Sequence, residues 1–433
     1  MEFLDHIPAL IRIFLVLGIV ISGLKFKIPL SYSLLIGGVF LGVFFHMPMG
    51  DFFAALKEGT FSIDTLSLVV IVTGILILSN GMSASGRLER IVNSFKELVG
   101  ESRITLVTFP ALIGLLPMPG GAVFSAPMVG AMSDNTDLPQ HHKTIINYWF
   151  RHIWEYWFPL YPGVILAITL TNIPAWKFML LNLPMTFVVL GVGYLIILRK
   201  VKLSEKVHRN YSGKNIRKFI SQLMPILLMV FTLLILGISI NIIEKQFGFK
   251  SKILERIPIL IGLAFSFAWV VIADKFKNIK SVVFKKSIWD LGLLVLGIMI
   301  FKSILEMSGG VDVLKNELIT YNIPIAATVM LLPFITGIIT GIAVGFVGTA
   351  FPLLITLVAT MADTEHSGAY YFIAYVFGFS GMMLSPVHLC LLLTKDYFKA
   401  DLIDVYKKYL ITLSTITCAI ALVIYCVYRY FNL

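Results

Sequence analysis

Glycine and proline break two apolar stretches of this chain at matching places in its two halves. The first reads Pro117-Met118-Pro119-Gly120-Gly121-Ala122-Val123-Phe124-Ser125-Ala126-Pro127. The second reads Gly341-Ile342-Ala343-Val344-Gly345-Phe346-Val347-Gly348-Thr349-Ala350-Phe351-Pro352. Within a membrane, interrupted backbone persists only where protein or a water-filled cavity satisfies its polar groups. Paired interruptions of this kind are the sequence mark of a secondary-transporter binding site.

The composition puts the chain in lipid. Of 433 residues, 58% are hydrophobic and 14% charged, and the mean hydropathy is +0.90. A soluble chain carries about 25% charged residues. Crossings are predicted near 8–24, 28–46, 62–80, 144–171, 175–198, 219–241, 257–273, 288–306, 367–394 and 402–430, each near the length that spans about 30 Å of hydrocarbon. Met1 to His6 is acidic rather than basic and no small-residue cleavage pattern follows, so the first segment reads as a retained helix. The interrupted segments, about 104–133 and 324–362, would each measure about 45 Å as one straight helix. Folded at the break, each arm is about 20 Å, which predicts two re-entrant hairpins.

The basic residues support that topology. Lys25 and Lys27, Arg87 to Arg103, Arg199 to Lys218, Lys275 to Lys286 and Lys395 to Lys408 fall on alternate loops. Roughly 24 of the 35 basic residues lie on one side, which the positive-inside rule makes cytoplasmic. Both termini are then expected outside, with the hairpins entering from opposite faces of the cell membrane of a prokaryote. The formal charge of +11 has this explanation and implies no nucleic acid.

A shift of about 224 residues aligns Gly86 with Gly310, Gly121 with Gly345, Ser125 with Thr349, Ala126 with Ala350 and Pro162 with Pro386. The fold expected is an all-α polytopic membrane protein of two repeats, each with five crossings and one hairpin. Residues 1–205 form the first repeat, 206–218 a basic cytoplasmic linker and 219–433 the second. An odd number of crossings per repeat inverts one relative to the other. A polar amphipathic stretch precedes each hairpin, at 85–100 and 308–319.

Candidate site residues follow from the breaks. Half-helices starting near Ala122 and Thr349 present unpaired N–H groups and positive dipole ends, which suit an anion such as a carboxylate. Pro119, Gly120, Gly121, Gly345 and Gly348 shape the tips, and Ser125 and Thr349 add hydroxyls. Their other reading is packing glycines and back-bonded hydroxyls. Two crossings are also interrupted, at Phe158 to Gly163 and at Gly378 to His388. Unwound turns there offer Tyr161, Ser380 and Ser385 to a coupling cation or the substrate; a plain proline kink is the alternative. Arg151, His152, Glu155 and His388 are ionisable groups within crossings and so functional candidates. Arg151 either contacts substrate or pairs with Glu155 four residues on. His388 either carries a proton or is a satisfied buried imidazole. Cys390, Cys418 and Cys426 have neither disulfide nor metal-ligand spacing.

No Walker loop, HExxH or GxSxG occurs. Gly378-Phe379-Ser380-Gly381 matches the GxSG string of rhomboid-type proteases, but His388 lies about 12 Å further along a helix, too far for a dyad. His152 of the other repeat is the alternative base, and a four-residue string of small residues is weak support for it. The chain is therefore not expected to be an enzyme or to need a cofactor beyond Na⁺ or H⁺ as a coupling ion.

The strings Leu116-Pro117-Met118-Pro119-Gly120-Gly121, Phe124-Ser125-Ala126-Pro127 and Ser385-Pro386-Val387-His388-Leu389-Cys390-Leu391 carry a resemblance. The chain resembles the ion-transporter superfamily of secondary carriers, which includes divalent-anion/sodium symporters and gluconate-type permeases. It looks most like an uncharacterised prokaryotic branch of that group. The resemblance implies a scaffold domain, a transport domain holding both hairpins, homodimerisation and elevator-like motion. The Ser-Asn-Thr tip signature of the divalent-anion symporters is missing from both hairpins. The expected function is gradient-driven transport of a small organic anion; the alternative is a cation/proton antiporter on the same architecture.

Overall fold

Proline sets where many of the helices begin. Pro8, Pro29, Pro48, Pro139, Pro174 and Pro324 each stand one residue before a helix with extended ψ. At a helix start the missing N–H costs nothing, and the fixed φ favours entry. The computed structural model describes residues 6–99, 103–115, 117, 121–133, 137–199, 201, 212–248, 253–274, 279–361 and 367–432. Among the described residues the regular structure is helical throughout.

In chain order, the first half has α1 (Ala9–Lys25), α2 (Leu30–Phe44), α3 (Met49–Phe61), α4 (Ile63–Ala84) and the amphipathic α5 (Arg87–Val99). It continues with α6 (Arg103–Gly114), α7 (Ala122–Ser133), α8 (Gln140–Arg151), α9 (Pro162–Thr171) and α10 (Ala175–Leu198). The second half has α11 (Gly213–Phe247), α12 (Ile257–Ala273), α13 (Lys286–Met307) and α14 (Gly310–Thr320). Then follow α15 (Ile325–Thr340), α16 (Ala343–Met361), α17 (Ser367–Met383), α18 (Leu389–Phe398) and α19 (Leu402–Tyr430). Among the described residues, seven helices are long and apolar enough to cross a membrane: α4, α10, α11, α12, α13, α16 and α19. Other apolar helices, α2, α7, α9 and α15, are shorter, at 10 to 17 residues, less than the length that spans about 30 Å of hydrocarbon.

Both interrupted segments are broken, the first where expected and the second about six residues earlier than the expected start near Thr349, so Gly345, Gly348 and Thr349 lie inside the helix rather than at its tip. α6 ends at Gly114 and α7 begins at Ala122, while α15 ends at Thr340 and α16 begins at Ala343. The arms of each pair pack against one another. Gly341 makes the second turn in the left-handed region, at φ 64°, which a side chain would disfavour.

Several expectations are corrected. α3 was not anticipated; it packs on α13, where a Cβ on Gly59 would lie 2.6 Å from the Cα of Ile300. Residues 213–218 of the expected linker are the first turns of α11, started by Ser212, whose Oγ accepts from the Asn215 N–H at 3.3 Å. The remainder of that linker, 206–211, lies outside the described residues. α17 runs unbroken through Gly378 and Gly381, and the chain unwinds only after Met383. Those glycines serve contact instead: a Cβ on Gly381 would lie 2.1 Å from the Phe334 carbonyl of α15. On the other interrupted crossing the helix stops at Arg151, well before Phe158. Finally, α16 has 19 residues, or about 28 Å, longer than the expected arm, because its apolar run continues to Met361.

Helices of the two halves pair in matching ways. α1 packs on α2 and α11 on α12; α2 meets α13 and α4 meets α12; α7 meets α18 and α9 meets α16. Each amphipathic helix docks on the first helix of the other half, α5 on α11 and α14 on α1. The two docks use charge. Arg87 binds Asp274 at 2.7 Å and donates to the carbonyls of Ser221 and Gln222, and Arg90 reaches Asp274 at 2.6 Å. Burial opposes ionisation of Asp274, but the hydrogen bond and charge of Arg87, joined by Arg90, outweigh it and hold the carboxyl below its ordinary range. On the other side, Glu317 of α14 accepts from the N–H groups of Ala9 (2.5 Å) and Leu10 (2.9 Å), satisfying the open start of α1.

Candidate functional site

Where α8 stops at Arg151, the chain runs without regular helix to Tyr161. Such backbone survives in a membrane interior only with partners; neighbouring helices supply them, with Thr186 donating to the Ile153 carbonyl at 2.8 Å, and the segment's own aromatic side chains tie it to its surroundings. Tyr375 donates to the Glu155 carbonyl at 2.9 Å, and the Tyr161 hydroxyl donates to the Gly114 carbonyl at the end of α6. Trp154 donates to the Ala111 carbonyl and Trp157 to Thr186, both at 2.8 Å. Behind them lies a ring-packed wall in which Tyr375 stacks on Phe379 and Tyr156 contacts Phe379 at 4.4 Å between centroids.

In front of this wall lies a cavity of about 520 Å³. The starts of three helices border it: Tyr161 and Pro162 at the start of α9, Ile342 and Ala343 at the start of α16, and His388 and Leu389 at the start of α18. Pro117 of the first hairpin also borders it, as do Leu30 and Ser31 of α2, Leu76 of α4 and Asp290 of α13. Gly163 permits the close meeting of α9 and α16, since a Cβ there would lie 2.5 Å from that of Ala343.

Arg151, His152 and Glu155 open onto the cavity though each is largely buried. The Arg151 guanidinium lies against the first hairpin: a Cβ on Gly121 would be 2.4 Å from its Nη2. A Cβ on Gly114 would be 1.9 Å from the Arg151 carbonyl oxygen. The two glycines that flank this tip are therefore the seat of Arg151. Because the helix ends at Arg151, Arg151 and Glu155 do not occupy successive turns of one helix, though the two charges still interact. Glu155 Oε1 lies 3.8 Å from His152 Nε2.

Two histidines from different halves meet here. His152 Nδ1 bonds the Tyr148 carbonyl at 2.6 Å, and His388 Nδ1 bonds the Gly341 carbonyl at 2.7 Å. Their Nε2 atoms are 3.2 Å apart. The thiol of Cys390 joins them, with the sulfur and ring nitrogens all within 4.8 Å.

Among the candidates from sequence, Arg151, Glu155, Tyr161 and His388 come together on the cavity. Ser125 and Thr349 are buried within their helices and bond back to the carbonyls of Ala122 and Gly345. Gly345 and Gly348 are contact points, the former against Thr340 and the latter against Ile298 of α13. Ser385 is fully buried beneath Gly341, with its Oγ accepting from the Val387 N–H, and Ser380 lies buried within α17. Pro119 and Gly120 lie outside the described residues. His152, an ionisable group of the same crossing as Arg151 and Glu155, and Cys390, which was not among the candidates, complete the cluster. The only signal for Cys390 was its place two residues after His388 at the start of a half-helix.

Seven helices of membrane-crossing length among the described residues, with ionisable side chains gathered where shorter helices begin and end, mark an integral membrane protein of the polytopic helical class. Residues 7–428 match the family described as "Protein of unknown function (DUF401)", and the chain belongs to that family. No curated protein matches the chain.

Proposed function

We propose that this protein is a secondary active transporter of a small organic anion, a carboxylate, driven by an ion gradient. The observation that carries the reading is the Arg151 guanidinium seated on the hairpin glycine Gly121 and opening onto a cavity bordered by the starts of α9, α16 and α18. Helix starts carry partial positive charge, and together with a guanidinium they favour an anion. The matched pairings of α2 with α13 and α4 with α12, and of α7 with α18 and α9 with α16, support two inverted repeats. The cavity lies between α2, α4 and α13 on one side and the interrupted elements on the other. That placement suits a scaffold against which a transport domain slides, as the resemblance to the ion-transporter superfamily implies. The outer face of α11, largely uncovered along its length, suits lipid or a second copy in a homodimer.

The test is uptake of labelled small carboxylates into proteoliposomes under a Na⁺ or H⁺ gradient. Concentrative uptake that Arg151→Gln abolishes, with the variant still folded, is the expected result. A lack of uptake of any carboxylate under either gradient would overturn the reading. The closeness of Glu155 to His152 favours a second reading, a cation/proton antiporter. Proton efflux on adding Na⁺, with no organic substrate present, would select it.

A further inference from the structure

We propose that His152, His388 and Cys390, with Glu155 beside them, form a site for a divalent d-block cation of the Zn²⁺ class. A backbone carbonyl can only accept a hydrogen bond, so Nδ1 of each imidazole carries the proton in its bond to Tyr148 or Gly341. Each Nε2 of a neutral ring then presents a lone pair. These two lone pairs converge to 3.2 Å, and the Cys390 thiol is hydrogen-bonded to His152 beside them, so three ligand atoms gather round one point that a cation can occupy. Histidines that ligate a metal through one nitrogen while the other donates to a carbonyl are the usual pattern of a metal site.

The distances suit an ion. Two nitrogens each about 2.05 Å from Zn²⁺ and 3.2 Å apart subtend about 103° at the metal, near the tetrahedral angle. The Cys390 sulfur lies within 4.8 Å of both nitrogens, and Glu155 Oε1 is 3.8 Å from one of them. A tetrahedral ion would hold the sulfur about 3.6 Å from each nitrogen, which small side-chain rotations reach. Imidazole and thiolate select Zn²⁺, Co²⁺ and their neighbours over Na⁺ or Mg²⁺. On binding, the S–H bond of Cys390 breaks, its proton leaves to water in the cavity, and the sulfur bonds the metal. The thiolate and the Glu155 carboxylate then balance the dication. The cavity gives the ion its path in and leaves a face of it open. This inference goes beyond the anion reading and does not depend on it.

The experiment uses the full chain in detergent, stripped with a chelator and titrated with Co²⁺, with no organic anion present. A thiolate-to-cobalt charge-transfer band in the near ultraviolet, displaced by Zn²⁺ at one ion per chain, is expected. Cys390→Ser, a near-isosteric change, should abolish the band, and His388→Gln should weaken Zn²⁺ binding at least about tenfold. Cys418→Ser should leave the band intact, because that thiol lies outside the cluster. Saturating Co²⁺ without a charge-transfer band, or the same band in Cys390→Ser, would overturn the proposal. Uptake is measured separately, so a failure of metal binding and a failure of anion transport are distinguishable.

Discussion

Adding one methyl group at Gly121 should weaken anion binding while leaving the fold standing. A Cβ there would lie 2.4 Å from Nη2, 2.9 Å from Cζ and 3.0 Å from Nη1 of Arg151. Ordinary carbon contacts begin near 3.5 Å, so the guanidinium must retreat by about 1 Å. The tip of a long side chain can make that shift at little cost to stability. A carboxylate hydrogen-bonded to it cannot follow freely, and a bond stretched by about 1 Å is lost. Hydrogen bonds to charged groups contribute about 1.5–3 kcal/mol, which corresponds to about 10- to 150-fold in Kd. The assay is a thermal-shift screen of small carboxylates on the parent chain, followed by Kd measurement of the best ligand on Gly121→Ala. The expected outcome is an unliganded Tm near that of the parent with a Kd raised by that factor. Gly114→Ala is the contrast: its Cβ meets the Arg151 backbone oxygen at 1.9 Å, which no rotamer change relieves, so folded yield should fall. A Gly121→Ala protein that binds the ligand as tightly as the parent would refute the placement of Arg151 in the site.

Asp274→Asn leaves the buried Arg87 without its counter-charge and should cost about 3–5 kcal/mol, read as a lower Tm in detergent. Because the folded Asp274 carboxyl is held below its ordinary range, its contribution is complete above about pH 4, where an unfolded aspartate ionises. It should be lost as pH falls through the lower folded value, and the Asp274→Asn protein should lack that part of the acid dependence. Glu317→Ala removes the acceptor for the N–H groups of Ala9 and Leu10 and should cost about 0.5–2 kcal/mol. Hydrogen exchange should localise that loss to the start of α1, and unchanged protection there would count against the cap.

The broken segments, the two amphipathic helices and most spanning helices were legible in the sequence because they depend on local chemistry. A proline removes an N–H wherever it stands, a glycine admits a left-handed turn such as that at Gly341, and about twenty apolar residues span a bilayer. The same local rules misread Gly378 and Gly381 as an unwound turn. A glycine that loosens a helix and one that admits a neighbour's backbone look alike until the neighbour, here Phe334 of α15, is known. Ser125 and Thr349 were ambiguous for a related reason: a hydroxyl in a helix can face a ligand or its own preceding turn, and both bond backward.

Sequence by itself determined that this chain is a bundle of apolar helices suited to lipid, and that two of its apolar stretches are broken into helix pairs. Hydrophobic length and backbone satisfaction are decided residue by residue along the chain. Only the tertiary structure decided what stands at the ends of those helices. It seats Arg151 on Gly121 and brings His152 to His388 and Cys390, more than 200 positions away. Such meetings depend on packing between the two halves, and no local pattern encodes which polar groups from distant segments come to share one small buried volume.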